Sequence, residues 1–164
     1  MVRFALLLMI MLPVLLQAQQ NPAEAVRIKI QSGDYTGARQ DLNKIIESNP
    51  KNKLALALRG KARIGLEDYY GAIADLTQAL EMDSTIAEGY NDRGLAKMNL
   101  GDDEGAILDF NKAIKFNPKM ADAYTNRGFA LYNIEEIADA YFDFSKALEI
   151  GPADADKYYN CCLL

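Results

Sequence analysis

The feature that most constrains this chain is a segment that recurs every 34 residues. The segment reads Asp-Phe-Asn-Lys-Ala-Ile at 109–114 and Asp-Phe-Ser-Lys-Ala-Leu at 143–148, with related forms at 75–80 and 41–46. A chain with a fixed period of this length folds as stacked copies of one unit, because a single unit cannot bury its apolar face alone. The register divides residues 19–154 into four units, which are 19–52, 53–86, 87–120 and 121–154.

Each unit contains two stretches in which apolar residues recur at three- and four-residue steps, the spacing of an amphipathic helix. In the third unit, Gly101 and Asp102 separate the two stretches. Glycine can take positive φ after a helix end, and aspartate can cap the helix that follows. Asn117 precedes Pro118 at the end of the unit, and a residue before proline is pushed out of helical geometry. The sequence therefore predicts an all-α fold built from antiparallel helix pairs.

Small residues recur at fixed places in both helices. Gly60, Gly94 and Gly128 fall inside the first helices, where each glycine costs about 1 kcal/mol in helix propensity relative to alanine. The second helix of each unit carries alanine at the same position of the repeat, at residues 38, 72, 106 and 140. We expect the glycine and alanine to bring the helices of a unit close together, with Phe110 or Phe144 filling the remaining gap.

These positions resemble the tetratricopeptide repeat, whose unit has an aromatic residue, a glycine four residues later, then alanine, an aromatic and a closing proline. The matching residues of the third unit are Tyr90, Gly94, Ala106, Phe110, Ala113 and Pro118. Those of the fourth unit are Tyr124, Gly128, Ala140, Phe144, Ala147 and Pro152. The first unit departs from the pattern, with Pro22 and Val26 in the aromatic and glycine positions. The resemblance implies an α-solenoid, a right-handed superhelix whose concave wall is formed mainly by first helices.

Charged residues also keep the register of the repeat. An arginine directly precedes each mid-helix glycine, and an aspartate lies sixteen residues after that arginine. This spacing predicts the ion pairs Arg59–Asp75, Arg93–Asp109 and Arg127–Asp143. Because every arginine has an acid, we favour a structural role for these pairs over a row of anion-binding arginines. Asp41 has Ala25 in the arginine position, so we expect Asp41 to face solvent.

The resemblance also implies which residues face the concave groove. In the third and fourth units these candidate binding residues are Asn91, Asp92, Leu95, Met98, Thr125, Asn126, Phe129, Tyr132 and Asn133. Asparagine offers a donor and an acceptor to an extended backbone, and aromatic residues anchor interfaces. The acids Glu88, Asp92 and Asp122 favour some positive charge in the partner. A simpler interpretation is that these are ordinary solvated polar residues on exposed helix faces.

One group of these repeats grips the C-terminal carboxylate of heat-shock chaperones with a clamp of lysine, asparagine and arginine. The corresponding positions here are Ala57, Lys61, Asp92, Asp122 and Asn126. Two acids stand where cations are needed, so a chaperone-tail partner is disfavoured.

The first 18 residues predict a secretory signal peptide. Arg3 is followed by an apolar run from Phe4 to Leu16, and polar residues follow at 17–20. We expect cleavage after Ala18 and export to the periplasm or beyond the cell, as in a small exported bacterial protein. The alternative is an uncleaved segment that anchors the chain in the inner membrane.

The last ten residues, 155–164, open a fifth copy of the repeat and predict a partial capping helix. Cys161 and Cys162 occupy the positions that hold arginine and glycine in earlier units. Two further interpretations are a self-assembling unit, in which the last repeat recruits another copy, and a truncated fragment of a larger protein.

Composition excludes several classes of function. The net charge of −5 and the absence of any basic cluster disfavour a nucleic-acid partner. Histidine is absent from the chain, and the two cysteines are adjacent, so we expect no metal site, no cofactor and no catalytic residues. The sequence therefore predicts a non-catalytic scaffold or adaptor that binds a protein or peptide segment.

Overall fold

The computed structural model describes residues 22–151. Within that range the chain forms eight α-helices and no β-strand. Their bounds are α1 Pro22–Gln31, α2 Tyr35–Ser48, α3 Lys53–Gly65, α4 Tyr69–Met82, α5 Ala87–Asn99, α6 Asp103–Phe116, α7 Ala121–Asn133 and α8 Ile137–Ile150. The predicted all-α fold is confirmed. The signal peptide expected at 1–18 and the capping helix expected at 155–164 lie outside the described residues.

The helix bounds follow the period of the sequence. Second helices begin at residues 35, 69, 103 and 137, and first helices end at 31, 65, 99 and 133, each in steps of 34 residues. The first unit forms a helix pair although it departs from the repeat pattern. Pro22 stands at the first position of α1, where its missing N–H has no intrahelical partner to lose. Val26 takes the place of glycine and is fully buried.

A tight turn joins the two helices of each unit. The turn residue has positive φ in all four units, at Gly33 (81°), Glu67 (59°), Gly101 (79°) and Glu135 (66°). Positive φ places the Cβ of an ordinary residue against the following carbonyl, so the two glutamates carry strain that glycine does not.

An aspartate caps the second helix in three units. The carboxylates of Asp34, Asp68 and Asp102 each accept a hydrogen bond from a glycine N–H three residues later, at 2.9 to 3.1 Å. Glu136 holds this position in α8 and makes no such bond. The cap predicted at Asp102 is confirmed, and Asp34 and Asp68 act in the same way.

The mid-helix glycines mark the closest approach within each unit. A Cβ added to Gly94 would lie 2.7 Å from Cε1 of Phe110, and one added to Gly128 would lie 2.7 Å from Cε1 of Phe144. Phe110 is completely buried. The glycine is needed because the aromatic ring fills the space that a methyl group would occupy.

The stacking of the units places the groove. Each helix packs on the next in sequence, and the first helices α1, α3, α5 and α7 also contact one another. Second helices of the described range make no contact of similar extent among themselves. The stack is therefore tighter on the first-helix side, and first helices form its concave wall. Within residues 22–151, no helix is both long and apolar enough to cross a membrane.

Candidate functional site

A ladder of arginines and aspartates supports the wall of the groove. Arg93 donates from Nε and Nη2 to the two carboxylate oxygens of Asp109, at 2.9 and 2.7 Å. Arg59 binds Asp75 in the same way at 2.8 and 2.7 Å. Arg127 repeats the arrangement with Asp143 at 2.6 Å. These are the three pairs that the sequence register predicts.

Each arginine also reaches backwards along the chain. The Nη1 atoms of Arg59, Arg93 and Arg127 donate to a side chain sixteen residues earlier, in the second helix of the preceding unit; the acceptors are Asn43, Thr77 and Asn111. One guanidinium thus ties its own unit to the unit before it. The hydrogen bonds that Arg93 donates to Asp109 raise the pKa of Arg93, although burial opposes the shift, so the arginine remains charged.

A second cation reinforces the ladder and was missed by sequence reasoning. Lys97 lies 2.8 Å from Asp109, and Arg63 lies 2.8 Å from Asp75. The equivalent Lys29 bonds to Asp41, whose side chain is 36 % exposed, so Asp41 faces solvent only in part and has a lysine in place of the missing arginine. The available signal was the basic residue that recurs at 29, 63 and 97, twelve residues before each aspartate.

The carboxylate of Asp109 is held in the ionised state by its two cations. Burial would by itself raise the pKa of Asp109, but hydrogen bonds from Arg93 and Lys97 outweigh it and lower the pKa below its usual value. The side chain of Asp109 is only 3 % exposed. This aspartate is therefore a structural element beneath the groove wall, with no accessible charge to offer a ligand.

The candidate binding residues lie at several depths. Asn126 donates from Nδ2 to Oδ1 of Asn91 at 3.1 Å, which joins α5 to α7. Asn91 and Asp92 are buried, at 9 % and 8 % exposure, whereas the sequence placed them on an open wall. Their burial follows from the contact between neighbouring first helices. Thr125 is half-buried and donates to the Ala121 carbonyl of its own helix at 3.1 Å.

The aromatic residues of α7 are the exposed part of the predicted surface. Tyr132 is 47 % exposed and Phe129 is 36 % exposed. The ring of Phe129 packs edge-on against the buried ring of Phe144, with 5.1 Å between ring centroids. This contact fixes the orientation of the Phe129 ring. Both residues can offer apolar contact to a partner.

The remaining candidates contribute mainly to the framework of the wall. Asn133 is exposed and donates to Asp103 at 2.9 Å, which links α7 to α6. Leu95 is half-buried. Met98 is also half-buried and packs against the buried cluster of Ala106, Phe110 and Ala130, so it contributes to the core.

A pocket of about 330 Å³ opens further toward the N-terminus, between α1, α3 and α5. Aliphatic side chains, Ile30, Leu54 and Leu58 among them, form its walls, and Asp92 lies at its α5 side. Sequence reasoning missed the contribution of α1, which adds Arg27 and Gln31 to the lining. The first unit matches the repeat pattern least, so nothing in the pattern pointed to it.

The charge of Asp92 is unusual among the buried aspartates. Burial raises the pKa of Asp92 to about 6, with smaller upward contributions from the charges of Glu88 and Asp122. The nearby charge of Lys61 and a hydrogen bond with Asn91 act in the opposite direction. A carboxylate with this pKa changes its charge within the physiological range.

No group of three or more metal-ligating side chains occurs among residues 22–151. Cys161 and Cys162 lie beyond that range, so the structure offers no description of them. The site is thus a groove of amide, aromatic and carboxylate groups, with the chemistry of a surface that recognises a polypeptide.

Comparison with known proteins agrees with this architecture. A family model described as "Tetratricopeptide repeat" matches residues 23–87, and one described as "TPR repeat" matches residues 94–134. No curated protein sequence matches the chain significantly.

Several solved structures share the fold. The structure of MamA is 28% identical, with a TM-score of 0.74 over 84% of this chain and 81% of that one. A thermophilic TPR protein of Thermus thermophilus is 19% identical, with a TM-score of 0.77 over 90% and 86%. The first TPR of Spaghetti (RPAP3), solved bound to the HSP90 peptide SRMEEVD, is 23% identical, with a TM-score of 0.66 over 68% and 88%.

Proposed function

Because this chain belongs to the tetratricopeptide-repeat family, we propose that it is a scaffold that binds a protein or peptide segment in its concave groove. The observation that carries the proposal is the first-helix wall. This wall combines the Asn91–Asn126 amide pair, the exposed rings of Phe129 and Tyr132, and the adjoining pocket. Amides suit a peptide backbone, and aromatic anchors suit apolar side chains.

The chemistry of the groove argues for a partner different from an acidic chaperone tail. The first TPR of Spaghetti (RPAP3) is bound to the peptide SRMEEVD, which carries three acids and a terminal carboxylate. Here the charges of Glu88 and Asp122 both act on the carboxylate of a third acid, Asp92, and raise its pKa. A segment with apolar anchors and positive charge suits this wall better. We propose no catalytic activity, since the chain has no histidine and residues 22–151 hold no group of three or more metal-ligating side chains.

A capture experiment tests the groove. The wild-type protein and a Phe129→Ala/Tyr132→Ala variant are used as baits in an envelope extract, and captured proteins are quantified by mass spectrometry. A matched control is Tyr70→Ala/Leu108→Ala, which removes two exposed apolar side chains of second helices. We expect a partner that the groove variant loses and the control variant retains. Equal capture by all three baits would remove the groove from the proposal.

We also propose that residues 1–18 export the chain and are removed after Ala18, with anchoring in the inner membrane as the alternative. The support is the charge and apolar pattern of the segment. The intact mass of the protein isolated from its native cells tests this proposal. A mass that begins at Gln19 supports export with cleavage, and retention of Met1 to Ala18 would mean an anchor.

A second candidate function is self-association through the last repeat. In the third unit, Ile107 packs in a cluster that includes Ala130 of the next unit. Tyr141 holds the same position in the fourth unit and is 54 % exposed, with Ile137 exposed beside it. The proposed capping helix at 155–164 would cover this face within one chain. Light scattering over a concentration series separates self-association from cover by the capping helix. A monomer at high concentration would exclude self-association. A dimer that is lost in Tyr141→Ser would support it.

A further inference from the structure

Four aspartates are buried in the described part of the chain, and one of them differs from the rest. Asp75, Asp109 and Asp143 each lie within 2.8 Å of an arginine. Among residues 22–151, no lysine or arginine nitrogen lies within 4.0 Å of the Asp92 carboxylate, although Asp92 is 8 % exposed. A buried carboxylate without a cation lowers the stability of a folded protein. Such a group therefore indicates a role in binding instead of a role in holding the fold together.

The position of Asp92 relates this charge to a cavity. Asp92 lines the pocket between α1, α3 and α5, and the aliphatic side chains of Leu54 and Leu58 line it as well. The pocket volume of about 330 Å³ exceeds that of one side chain. Lysine and arginine have an aliphatic stem and a cationic end, and they bury the stem along apolar surface while the charge finds an anion. The lining of the pocket contains both kinds of surface.

We propose that this pocket accepts a lysine or arginine side chain of the bound segment, with the stem against Leu54 and Leu58 and the cation on the carboxylate of Asp92. The inference rests on the proposed scaffold function and specifies the chemistry of its partner. The segment would then run along the groove from this pocket toward Phe129 and Tyr132, which contact its apolar side chains.

The charges that surround Asp92 come from every first helix near it. Arg27 of α1 lines the pocket, Lys61 of α3 lines it and attracts the carboxylate, and Glu88 of α5 and Asp122 of α7 repel it. The pocket lining itself holds two acids, Glu88 and Asp92, and two bases, and only the addition of Asp122 brings the balance to −1. This long-range balance favours a cation only weakly, so the direct contact with Asp92 must provide the selectivity.

Proton linkage gives the proposal a second signature. Burial keeps the pKa of Asp92 near 6 in the free protein. A bound cation favours the ionised carboxylate, so binding at pH 5 must first remove a proton. The affinity for a basic segment should therefore fall about tenfold between pH 7 and pH 5.

Selection of random dodecapeptides displayed on phage tests the proposal. The baits are the full mature chain, Asp92→Asn, and Glu104→Gln, an exposed acid outside the pocket that loses the same charge. We expect lysine and arginine to be enriched several-fold in peptides selected by wild type and by Glu104→Gln, and no enrichment with Asp92→Asn. Circular dichroism checks the fold of each bait. If Asp92→Asn does not fold, selection by wild type at pH 7.5 and at pH 5 replaces it.

The outcomes separate the pocket from the scaffold. Peptides that bind the groove without enrichment of basic residues would overturn the cation pocket and leave the scaffold function standing. Basic enrichment that persists in Asp92→Asn, or is equal at the two pH values, would overturn the assignment to Asp92. Failure of every bait to enrich any peptide would count against both proposals.

Discussion

Arg93 and Asp109 lie sixteen residues apart and share two hydrogen bonds, from Nε at 2.9 Å and from Nη2 at 2.7 Å. This bidentate geometry fixes the orientation of the guanidinium plane as well as its distance from the carboxylate. A lysine could fix only the distance. The same plane lies over the ring of Tyr90, with 5.6 Å from Cζ to the ring centroid. The pair therefore orients the helix that carries the groove residues.

Removal of the arginine should destabilise the fold to a degree set by the second cation. Arg93→Ala leaves Asp109 paired with Lys97. We therefore expect the free energy of unfolding to fall by about 3 kcal/mol, the lower end of the range for removing one partner of a buried ion pair. Among the described residues Asp143 pairs with Arg127 alone, because Leu131 holds the position of Lys97. Arg127→Ala should therefore cost more, roughly 5 kcal/mol.

Urea denaturation followed by far-ultraviolet circular dichroism measures both losses. Arg127→Leu combined with Asp143→Leu serves as the control, because this pair has no second cation within residues 22–151 and an apolar pair of similar volume should recover most of the stability. A larger loss for Arg93→Ala than for Arg127→Ala would contradict the role given to Lys97.

Two glycines of α5 should respond in opposite ways to alanine. At Gly94 the new Cβ would meet the buried ring of Phe110 at 2.7 Å, and overpacking of about 1–3 kcal/mol should exceed the gain in helix propensity of about 1 kcal/mol. At Gly89 the nearest atom is Cδ2 of the flexible Leu80 side chain, at 3.2 Å. Thermal unfolding should show a lower Tm for Gly94→Ala and an equal or higher Tm for Gly89→Ala. A rise in Tm for both variants would show that the ring of Phe110 can move aside.

The turn residues allow a reciprocal exchange. Glu135 has φ of 66°, so Glu135→Gly should relieve strain and stabilise the protein by about 0.5–1 kcal/mol, after the greater freedom of glycine in the unfolded chain is deducted. Gly101→Glu places the same strain on a turn with φ of 79° and should destabilise by a similar amount. Chemical denaturation of both variants measures the difference. Equal stability of the two would mean that the turns tolerate positive φ in any residue.

The stability of the protein should depend on pH through Asp92. Burial raises its pKa to about 6 in the folded state, above the value near 4 of an unfolded chain. The folded state therefore binds the extra proton between pH 4 and 6, and stability falls as pH rises through that window. Asp92→Asn avoids this loss, so it should match wild type at pH 4 and exceed it by roughly 2–3 kcal/mol at pH 7.5. Denaturation at the two pH values measures the difference, and a constant difference would contradict it.

The register of the repeat was sufficient to predict the helix pairs and the arginine ladder. An offset of sixteen residues across a two-helix hairpin is set within one unit, so Arg59 and Asp75 could be paired from sequence alone. Lys29 belongs to a second basic position, which recurs at Arg63 and Lys97 and lies twelve residues before each aspartate. The partner of Asp41 was therefore available in the sequence.

The depth of the groove residues could not be predicted in this way. Asn91 and Asp92 are polar and lie on first helices, which indicated an open wall. Their burial depends on how closely α3, α5 and α7 approach, and that distance is set by packing between units. The pocket beside Asp92 has the same origin, since it needs α1, the helix with the weakest repeat pattern.

The two-way reach of each arginine has a consequence for how this architecture can change in length. The hydrogen-bond partners of Arg93 lie sixteen residues before it, at Thr77, and sixteen residues after it, at Asp109. If residues 87–120 were duplicated, the copy of Arg93 would lie sixteen residues before the copy of Asp109 and sixteen residues after the original Asn111. Asn111 is the acceptor that Arg127 already uses. The joint is therefore modular, and a gene duplication in register could lengthen the groove by one unit while keeping the hydrogen bonds of each arginine.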